Sequence, residues 1–273
     1  MPELPEVETV KNTLKKKILN KKITDVKIIY ESIIEFPSIN EFKSKIINQT
    51  IHDIKRKGKW LMFELDDYYL LSHLRMEGKY IYRDKQDEFD KHELVSFVLD
   101  DEMDLRYKDV RRFGKMHLIE KDLIYDVKPL SELGLEPWDP NLTYKYLIKK
   151  YETKKIPIKQ CLLDQSIITG IGNIYADEIL FLSNLNPYTY SFDLEKDDLQ
   201  KIIDNTKIVL EKAIKLGGTT IRSYESEEGI HGRFQNELLV HNKKGLPCPN
   251  CGKPILKVFI SGRGTYYCDN CQK

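Results

Sequence analysis

Four cysteines near the end of the chain have the spacing of a zinc site. Cys248 and Cys251 form one CxxC pair, and Cys268 and Cys271 form a second pair after 16 intervening residues. Two CxxC turns present four thiolates to one tetrahedral ion, and a metal would supply the folding energy that so short a segment lacks. A redox role would need a CxxC beside a βαβ pattern, which is absent. We therefore predict one structural Zn²⁺ ion, bound by four thiolates and without a catalytic role.

The N-terminus, MPELPE, contains residues that could act as a nucleophile and as an acid. A chain that starts Met-Pro normally loses the Met, which leaves Pro2 as a free secondary amine with a pKa nearer that of an α-amino group than that of lysine. Such an amine attacks an aldehydic carbon to give an iminium, which promotes elimination. Glu3 follows directly and could transfer protons. Considered alone, the pair is better explained as an ordinary second residue and an exposed acid.

Short strand patterns dominate the first half of the chain, and helical patterns the second. A helix is predicted over residues 5–19, where apolar residues recur at helical spacing. Gly and two Pro at 134–140 mark a boundary, helical periodicity extends from 141 to about 216, and the polar stretch 222–236 is predicted to be a mobile loop. The strand patterns suggest an antiparallel sandwich or barrel. They cover residues 23–30, 51–55, 60–65, 69–74, 79–82, 94–99, 103–107 and 115–119.

Length and charge set wider limits on the class of protein. A chain of 273 residues has room for two domains, or three if one is small. The formal net charge of +1 argues against a general polyanion binder, but basic residues concentrate at 105–117, 141–161 and 231–273. Charge alone does not decide between a basic face and a mixed surface. No apolar run is long enough to span a membrane and no signal peptide is evident, so the default expectation is a soluble cytoplasmic protein.

Seven segments can be compared with known families: MPELPEVETV at the N-terminus, RKGKWL at 56–61, HLRMEGKY at 73–80, DVRRFG at 109–114, GIGNIYADEIL at 170–180, QNELLVHNKKG at 235–245, and the four-cysteine ribbon with GRGTYYC. All seven, in this order, resemble bacterial formamidopyrimidine-DNA glycosylase, which is also a DNA-(apurinic or apyrimidinic site) lyase. The resemblance covers essentially the whole chain. In the related endonuclease VIII the start typically reads MPEGPE, so Leu4 favours the formamidopyrimidine branch.

The resemblance implies an α+β multidomain fold and a repair activity. The implied parts are an N-terminal helix with a β-sandwich at 1–133, a helix–two-turns–helix domain with a lesion-capping loop at 134–236, and a zinc-finger hairpin at 237–273. The implied reaction excises oxidised purines, chiefly 8-oxoguanine and formamidopyrimidines, and then cleaves the strand by β,δ-elimination. The implied partner is double-stranded DNA containing oxidised purines or abasic sites, bound between the two halves of a monomer in the bacterial cytoplasm, in association with the nucleoid.

By the same resemblance, individual residues acquire roles in catalysis. Pro2 attacks C1′ of the damaged nucleoside to form a Schiff base, and Glu3 is the acid and base that assists ring opening. Lys59 is the proton donor of β-elimination. Arg263 contacts a phosphate and is the proton donor of δ-elimination, although a guanidinium gives up a proton reluctantly, which favours the phosphate contact. Glu6 is expected to order the N-terminus.

Further residues correspond to DNA contacts in the family. Met76, Arg111 and Phe113 match the wedge that fills the gap left by a flipped nucleotide. Without the resemblance, Met76 and Phe113 would be assigned to the core. The other implied contacts are His73, His92, Lys154, Lys159 and Asn173.

Two alternatives stay open. A non-enzymatic zinc-ribbon DNA-binding protein would not need Pro2, Glu3 or Lys59, and all three are present. An endonuclease VIII-like glycosylase for oxidised pyrimidines is disfavoured by Leu4 and by the wedge residues.

The chain also departs from the family pattern. His241 stands where Tyr is usual, Gln160 stands where Pro often follows the preceding Lys, and the 222–236 loop contains three Glu residues. These departures bear on lesion preference. The fifth cysteine, Cys161, is predicted to be a buried apolar residue.

Overall fold

The computed structural model describes residues 1–219 and 232–273, in which the chain forms two compact units. The first unit comprises Met1–Ser131 and Gly217–Gly232, and the second comprises Glu132–Leu216 and Arg233–Lys273. The three-domain division at 133/134 and 236/237 stays a prediction. The mobile loop predicted at 222–236 lies largely outside the described residues.

The first helix, α1 (Leu4–Ile18), begins one residue before its predicted start. A proline in its first turn and a capping box formed by Glu3 and Glu6 fix the start. The proline lacks an N–H that would have no partner inside the helix, and the capping box supplies acceptors for N–H groups that do. Three lysines in the last turn suit the negative end of the helix dipole. Val7, Val10 and Leu14 are fully buried, and each such side chain contributes roughly 1.5–3 kcal/mol.

Among the described residues, nine strands of the first unit form two sheets, and eight of these strands overlap the eight predicted segments. Their bounds are β1 (Ile23–Ile28), β2 (Ile34–Phe36), β3 (Asp53–Lys57), β4 (Trp60–Glu64), β5 (Tyr68–His73), β6 (Lys79–Asp84), β7 (Glu93–Leu99), β8 (Met103–Lys108) and β9 (Lys115–Glu120). One sheet has the order β1-β7-β8-β6 and the other β2-β9-β5-β4-β3. All pairs are antiparallel except β2 with β9. Apolar residues of both sheets and of α1 share one core, so this part is a sandwich.

Two elements of the first unit were not predicted. They are β2 and the helix α2 (Ile39–Ile46), which is capped by a Ser38–Glu41 capping box. A strand of three residues gives no alternation to detect, and α2 buries only Phe42 and Ile46. Short elements of this kind depend on tertiary packing more than on local pattern.

Four helices build the second unit, as the helical periodicity predicted. They are α3 (Tyr144–Tyr151), α4 (Ile158–Leu163), α5 (Asn173–Leu182) and α6 (Lys196–Lys215). In α3, Leu147 and Tyr151 are buried, whereas Ile148 is 44% exposed. The unit ends in an antiparallel hairpin of β10 (Leu256–Ile260) and β11 (Arg263–Tyr267). No helix in the described part of the chain is both long and apolar enough to cross a bilayer.

Candidate nucleic-acid site and metal centre

The N-terminus is ordered by a carboxylate of α1. Pro2 is buried and Glu3 is 3% exposed. The Glu3 backbone N–H donates to Glu6 Oε2 at 2.8 Å. The other oxygen of Glu6 accepts the backbone N–H and the hydroxyl of Thr219 at 2.8 and 3.1 Å. Glu6 therefore orders the N-terminus, in line with the prediction, and also ties it to Thr219.

Lys59 lies in the turn between β3 and β4 and is only 5% exposed. An ion pair joins this turn to α1, because Arg56 Nε donates to Glu8 Oε2 at 2.9 Å. The same guanidinium donates through Nη1 to the Gly58 carbonyl at 3.0 Å. Arg56 therefore holds the turn that contains Lys59 and the helix that follows Glu3 together within the first unit.

His73 ends β5 opposite Trp60 of β4. Its ring packs edge-on against the Trp60 ring, with 4.8 Å between the ring centroids, and its Nδ1 accepts the backbone N–H of Arg75 at 2.9 Å. Burial, reinforced by the charges of Arg75 and Lys59, lowers the pKa of His73 to about 3. The imidazole is therefore neutral at pH 7 with its proton on Nε2, a donor that suits a phosphate oxygen.

The three predicted wedge residues line one cavity of about 460 Å³ in the first unit, and Met1 also lines it. Met76 is 41% exposed and Phe113 is 49% exposed, which excludes the assignment of either side chain to the core. The Arg111 guanidinium lies over the Phe113 ring, 4.7 Å from its centroid. Three further cations, Arg75, Arg112 and Lys115, complete the lining. The cavity thus combines exposed apolar side chains with four cations next to the residue that precedes Pro2.

Asp109 shapes the loop of this cavity, and the sequence reasoning missed it. The carboxylate is 1% exposed. Its Oδ1 accepts the Arg111 N–H at 3.0 Å, and its Oδ2 accepts the N–H groups of Phe113 and Gly114 at 2.8 and 2.9 Å. The signal in the sequence was an Asp at the start of DVRRFG, since Asp favours turns in which its side chain binds backbone groups a few residues on. Asp109 therefore fixes the backbone of two wedge residues.

Tyr107 packs beneath the two loops that carry the wedge residues. One lies between β5 and β6 and contains Met76, and the other lies between β8 and β9 and contains Arg111 and Phe113. A Cβ added at Gly78 or at Gly114 would lie 2.0 Å from the Tyr107 hydroxyl oxygen in either case. Contacts that short do not occur, so both loops require glycine for the close approach of the ring. The hydroxyl donates to the His73 carbonyl at 3.4 Å. One buried ring therefore supports the loops that present Met76 and Phe113.

His92 is half-buried near the wedge loop, and Asp109 also contacts its backbone. The His92 carbonyl accepts the Asp109 N–H at 2.9 Å. The side-chain Nδ1 is buried and has no hydrogen-bond partner among the described residues.

Arg106 behaves differently from the other cations of the basic stretch 105–117, because it is fully buried and pairs with Asp104 and Glu93 at 3.1 Å each. Arg106 therefore belongs to the core and does not contribute to a basic face.

In the second unit, Lys154, Lys159 and Arg263 line a cavity of about 450 Å³. Arg263 is exposed at the start of β11. Lys154 Nζ pairs with Asp164 at 2.9 Å, and the hydrogen bond that it donates to this carboxylate raises the pKa of Lys154. The structure thus brings three of the predicted DNA-contacting cations together.

Lys159 and Asn173 use their side chains inside the unit. Lys159 is fully buried, and its Nζ donates to Asp177, to the Gly264 carbonyl and to the Thr265 hydroxyl. Asn173 Nδ2 donates to the same Gly264 carbonyl at 2.9 Å. Whether either residue also contacts DNA stays a prediction.

Two positions that depart from the family pattern, Gln160 and His241, form side-chain hydrogen bonds within the second unit. Gln160 Oε1 accepts the Ser261 hydroxyl at 2.8 Å, so it contacts the turn before Arg263. His241 Nδ1 bonds Asp177 Oδ2 at 2.7 Å. Cys161 is fully buried, and burial raises the pKa of its thiol, which agrees with an inert apolar role. The three Glu residues of the 222–236 loop lie outside the described residues.

The four predicted zinc ligands converge at the end of the second unit. All four Sγ atoms lie within 4.8 Å of one another. The Sγ–Sγ distances are 3.8 Å for Cys248 with Cys271 and 3.5 Å for Cys251 with Cys268. A tetrahedron with Zn–S bonds of about 2.3 Å has S–S edges of about 3.8 Å, so the geometry fits zinc. The four cysteines are positioned to bind one zinc ion, which would complete a closed structural site.

A sandwich with a cation-lined cavity at its N-terminus, followed by a helical unit with a four-thiolate hairpin, defines a zinc-finger DNA-binding protein. Family models match the chain at the formamidopyrimidine-DNA glycosylase N-terminal domain over residues 1–116, at the H2TH domain of that enzyme over 133–225, and at the zinc finger found in FPG and IleRS over 245–273. The chain therefore belongs to the formamidopyrimidine-DNA glycosylase family.

Individual relatives agree with this assignment. The chain is 45% identical to the formamidopyrimidine-DNA glycosylase of Oceanobacillus iheyensis, over all of this chain and 98% of that one. It is 37% identical to a Lactococcus lactis Fpg mutant solved with Fapy-dG-containing DNA, with a TM-score of 0.93 and full coverage of both chains. A Lactococcus lactis Fpg complex with DNA that contains an abasic site gives a TM-score of 0.91 at 37% identity and 99% coverage of each. The family, the fold class and the zinc site predicted from the sequence are thus confirmed.

Proposed function

We propose that this protein is a bifunctional DNA glycosylase and abasic-site lyase that excises oxidised purines, including 8-oxoguanine and formamidopyrimidines, from duplex DNA. The observation that supports it most directly is the cavity lined by Met1, Met76, Arg111 and Phe113. It places the start of the chain beside exposed apolar side chains of the kind that replace an extruded base, and beside cations that suit phosphate. The family relatives bound to Fapy-dG and to abasic-site DNA support the same substrate class.

In this proposal the reaction starts at the N-terminal nitrogen. Removal of Met1 makes Pro2 a secondary amine, whose lone pair attacks C1′ and displaces the damaged base, which takes up a proton. The C1′–O4′ bond of the resulting aminal then breaks, O4′ is protonated and stays on C4′ as a hydroxyl, and an iminium forms between Pro2 and C1′. Glu3, held by its hydrogen bond to Glu6, transfers protons during opening of the sugar ring. Lys59 donates the proton needed at β-elimination, and the buried position of its turn fixes it relative to α1.

The remaining residues are proposed to bind and shape the DNA. Arg111 and Phe113, with Met76, occupy the gap in the base stack. The neutral imidazole of His73 and the side chain of His92 contact the backbone of the damaged strand. Lys154 and Arg263 bind phosphates from the second unit, and Lys159 and Asn173 assist there. A cytoplasmic location with association to the nucleoid follows from binding to chromosomal DNA.

The test is covalent trapping. Borohydride should link the protein to duplex DNA that contains 8-oxoguanine, and Pro2→Gly should abolish most of this product, because glycine supplies a primary and differently placed amine. Pro5→Ala is the matched control, since Pro5 is also in the first turn of α1 but has no free nitrogen. Intact mass should show loss of Met1. Trapping through an internal lysine, located by peptide mapping, would contradict the assignment.

Lesion preference is tested separately. Duplexes with 8-oxoguanine opposite cytosine, a formamidopyrimidine, or an oxidised pyrimidine should be cleaved with a clear preference for the two purine lesions. Faster cleavage of the oxidised pyrimidine would favour the endonuclease VIII-like alternative. Binding without any cleavage, by protein of verified N-terminus, would favour the non-enzymatic one.

A further inference from the structure

Two consecutive carboxylates of α5 are buried and have no part in the proposed reaction. Asp177 is 1% exposed and Glu178 is 2% exposed. Glu178 accepts the backbone N–H groups of residues 239, 240 and 241 at 2.7–3.0 Å. Asp177 instead accepts from three different segments: Lys159 Nζ at 2.7 Å, His241 Nδ1 at 2.7 Å and the Tyr266 N–H at 3.3 Å. The two neighbours thus share His241, through its backbone and its ring, but only Asp177 accepts from Lys159 and from β11.

Lys159, which pairs with Asp177, also binds the residues that follow Arg263 in β11. Lys159 Nζ, paired with Asp177, also donates to the Gly264 carbonyl at 3.1 Å and to the Thr265 hydroxyl at 2.8 Å. An ammonium has three donors, so these bonds define its position. Asn173 adds a second donor to the Gly264 carbonyl. The backbone next to Arg263 is therefore fixed by α4 and α5, while the Arg263 side chain itself is exposed.

The pairing of Asp177 with the Lys159 ammonium, at 2.7 Å, matters for this arrangement. A fully buried ammonium without a counter-charge is strongly disfavoured and gives up its proton. A neutral Lys159 amine has two N–H groups instead of three, so at least one bond to Asp177, Gly264 or Thr265 is lost. His241, at a position where the family usually has Tyr, binds the second Asp177 oxygen and so holds the carboxylate in place.

We propose that Asp177 is a positioning residue for Arg263, acting through Lys159 and the Gly264 carbonyl, and that it governs δ-elimination. This inference rests on the proposed function. In δ-elimination a base takes the proton from C4′, the C5′–O bond breaks, and its electron pair goes to the departing phosphate oxygen. A correctly placed guanidinium stabilises the charge that develops on that phosphate. In base excision, Schiff-base formation and β-elimination the C5′–O bond stays intact, so with DNA fully bound these steps depend less on this contact.

The experiment measures how products divide between β- and β,δ-elimination on duplex DNA with one preformed abasic site, under single-turnover conditions. Asp177→Asn should slow δ-elimination relative to β-elimination by at least tenfold, with the borohydride-trapped fraction within twofold of wild type. Glu178→Gln is the matched comparator, because it removes an equally buried carboxylate of the same helix whose hydrogen bonds go to the backbone of residues 239–241. It should lower thermal stability but leave the product ratio unchanged.

A double variant separates positioning from stability. Lys159→Met with Asp177→Leu removes both charges of the buried pair, so thermal stability and zinc content should return toward wild type. The product ratio should stay biased toward β-elimination, since the Gly264 carbonyl still lacks its Lys159 donor. Recovery of both properties, or a wild-type ratio in folded Asp177→Asn protein, would overturn the proposal. Failure of the proposed function is recognised separately, as absence of trapping or of strand cleavage by the wild-type enzyme.

Discussion

Removing the charge of Asp109 should impair base extrusion selectively. The carboxylate is buried and accepts three backbone N–H groups of the wedge loop. In Asp109→Asn the side-chain oxygen replaces only one of the two carboxylate oxygens, and the amide nitrogen then faces at least one N–H donor. Because hydrogen bonds to charged groups contribute about 1.5–3 kcal/mol each, and water partly replaces those at the rim, we expect the ordered loop to lose about 1.5–3 kcal/mol.

That loss translates into a rate effect of defined size. If the loop must be ordered for Phe113 to enter the stack, excision of 8-oxoguanine from duplex should slow by about 10–100-fold, at about 1.4 kcal/mol per tenfold. Cleavage at a preformed abasic site, which needs no extrusion of a base, should change by less than about threefold by the same relation. The assay compares single-turnover rates on the two substrates for wild type and variant. Asp25→Asn is the control, since Asp25 caps only the neighbouring N–H of β1.

A second comparison tests whether Asp109 acts through Phe113. In a Phe113→Ala background, Asp109→Asn should have a much smaller effect on excision, because the side chain that the loop presents is already absent. Equal slowing on both substrates would refute the reasoning, and so would full additivity of the two substitutions. Either result would mean that Asp109 supports the sandwich as a whole.

Three further predictions concern the metal, the pH dependence and the glycine contacts. Cys268→Ser should abolish zinc binding and weaken DNA affinity, while the first unit keeps its unfolding transition. If the zinc-free protein bound DNA as tightly as wild type, the hairpin would be excluded as a DNA contact. The pKa of His73 is about 3 in the folded protein, below its value of about 6.5 in the unfolded chain. Between about pH 6.5 and 3 the unfolded chain therefore binds one proton more than the folded protein. The free energy of unfolding should fall as the pH falls through that window, by up to about 1.4 kcal/mol per pH unit. Urea denaturation of His73→Gln should show a flatter profile over the same pH range, and an identical slope would contradict the assignment. Gly114→Ala should lower the free energy of unfolding by about 1–3 kcal/mol, because the added Cβ collides with Tyr107. Calorimetry should show that adding Tyr107→Phe restores part of this stability. If it restores none, the strain lies elsewhere.

The sandwich could be predicted because its strands alternate and end at clear turns. The predicted segment at 60–65 differs by one residue from β4, and the one at 94–99 by one residue from β7. The short elements β2 and α2 had no such pattern. The cysteine spacing alone predicted the metal site, because four thiolates at that spacing have few other uses.

Side-chain environment was harder to predict than the elements. Met76 and Phe113 are apolar and exposed, and no local pattern separates them from core residues, so only the family resemblance indicated their position. Lys159 looked like a surface cation, yet it is fully buried against Asp177, which is 18 residues away. Pairings over such distances depend on the packed fold, whereas the Asp109 turn was encoded locally and could have been recognised.

The edge-on contacts of Trp60 give the first unit a built-in optical probe. Its ring lies 4.8 Å from His73 and 5.5 Å from His117 between centroids, and it directly follows Lys59. The chain has only one other tryptophan, Trp138, whose indole N–H binds Glu211 in the second unit. Fluorescence from each unit can therefore be isolated by replacing a single residue, and events next to Lys59 can be timed without attaching a dye.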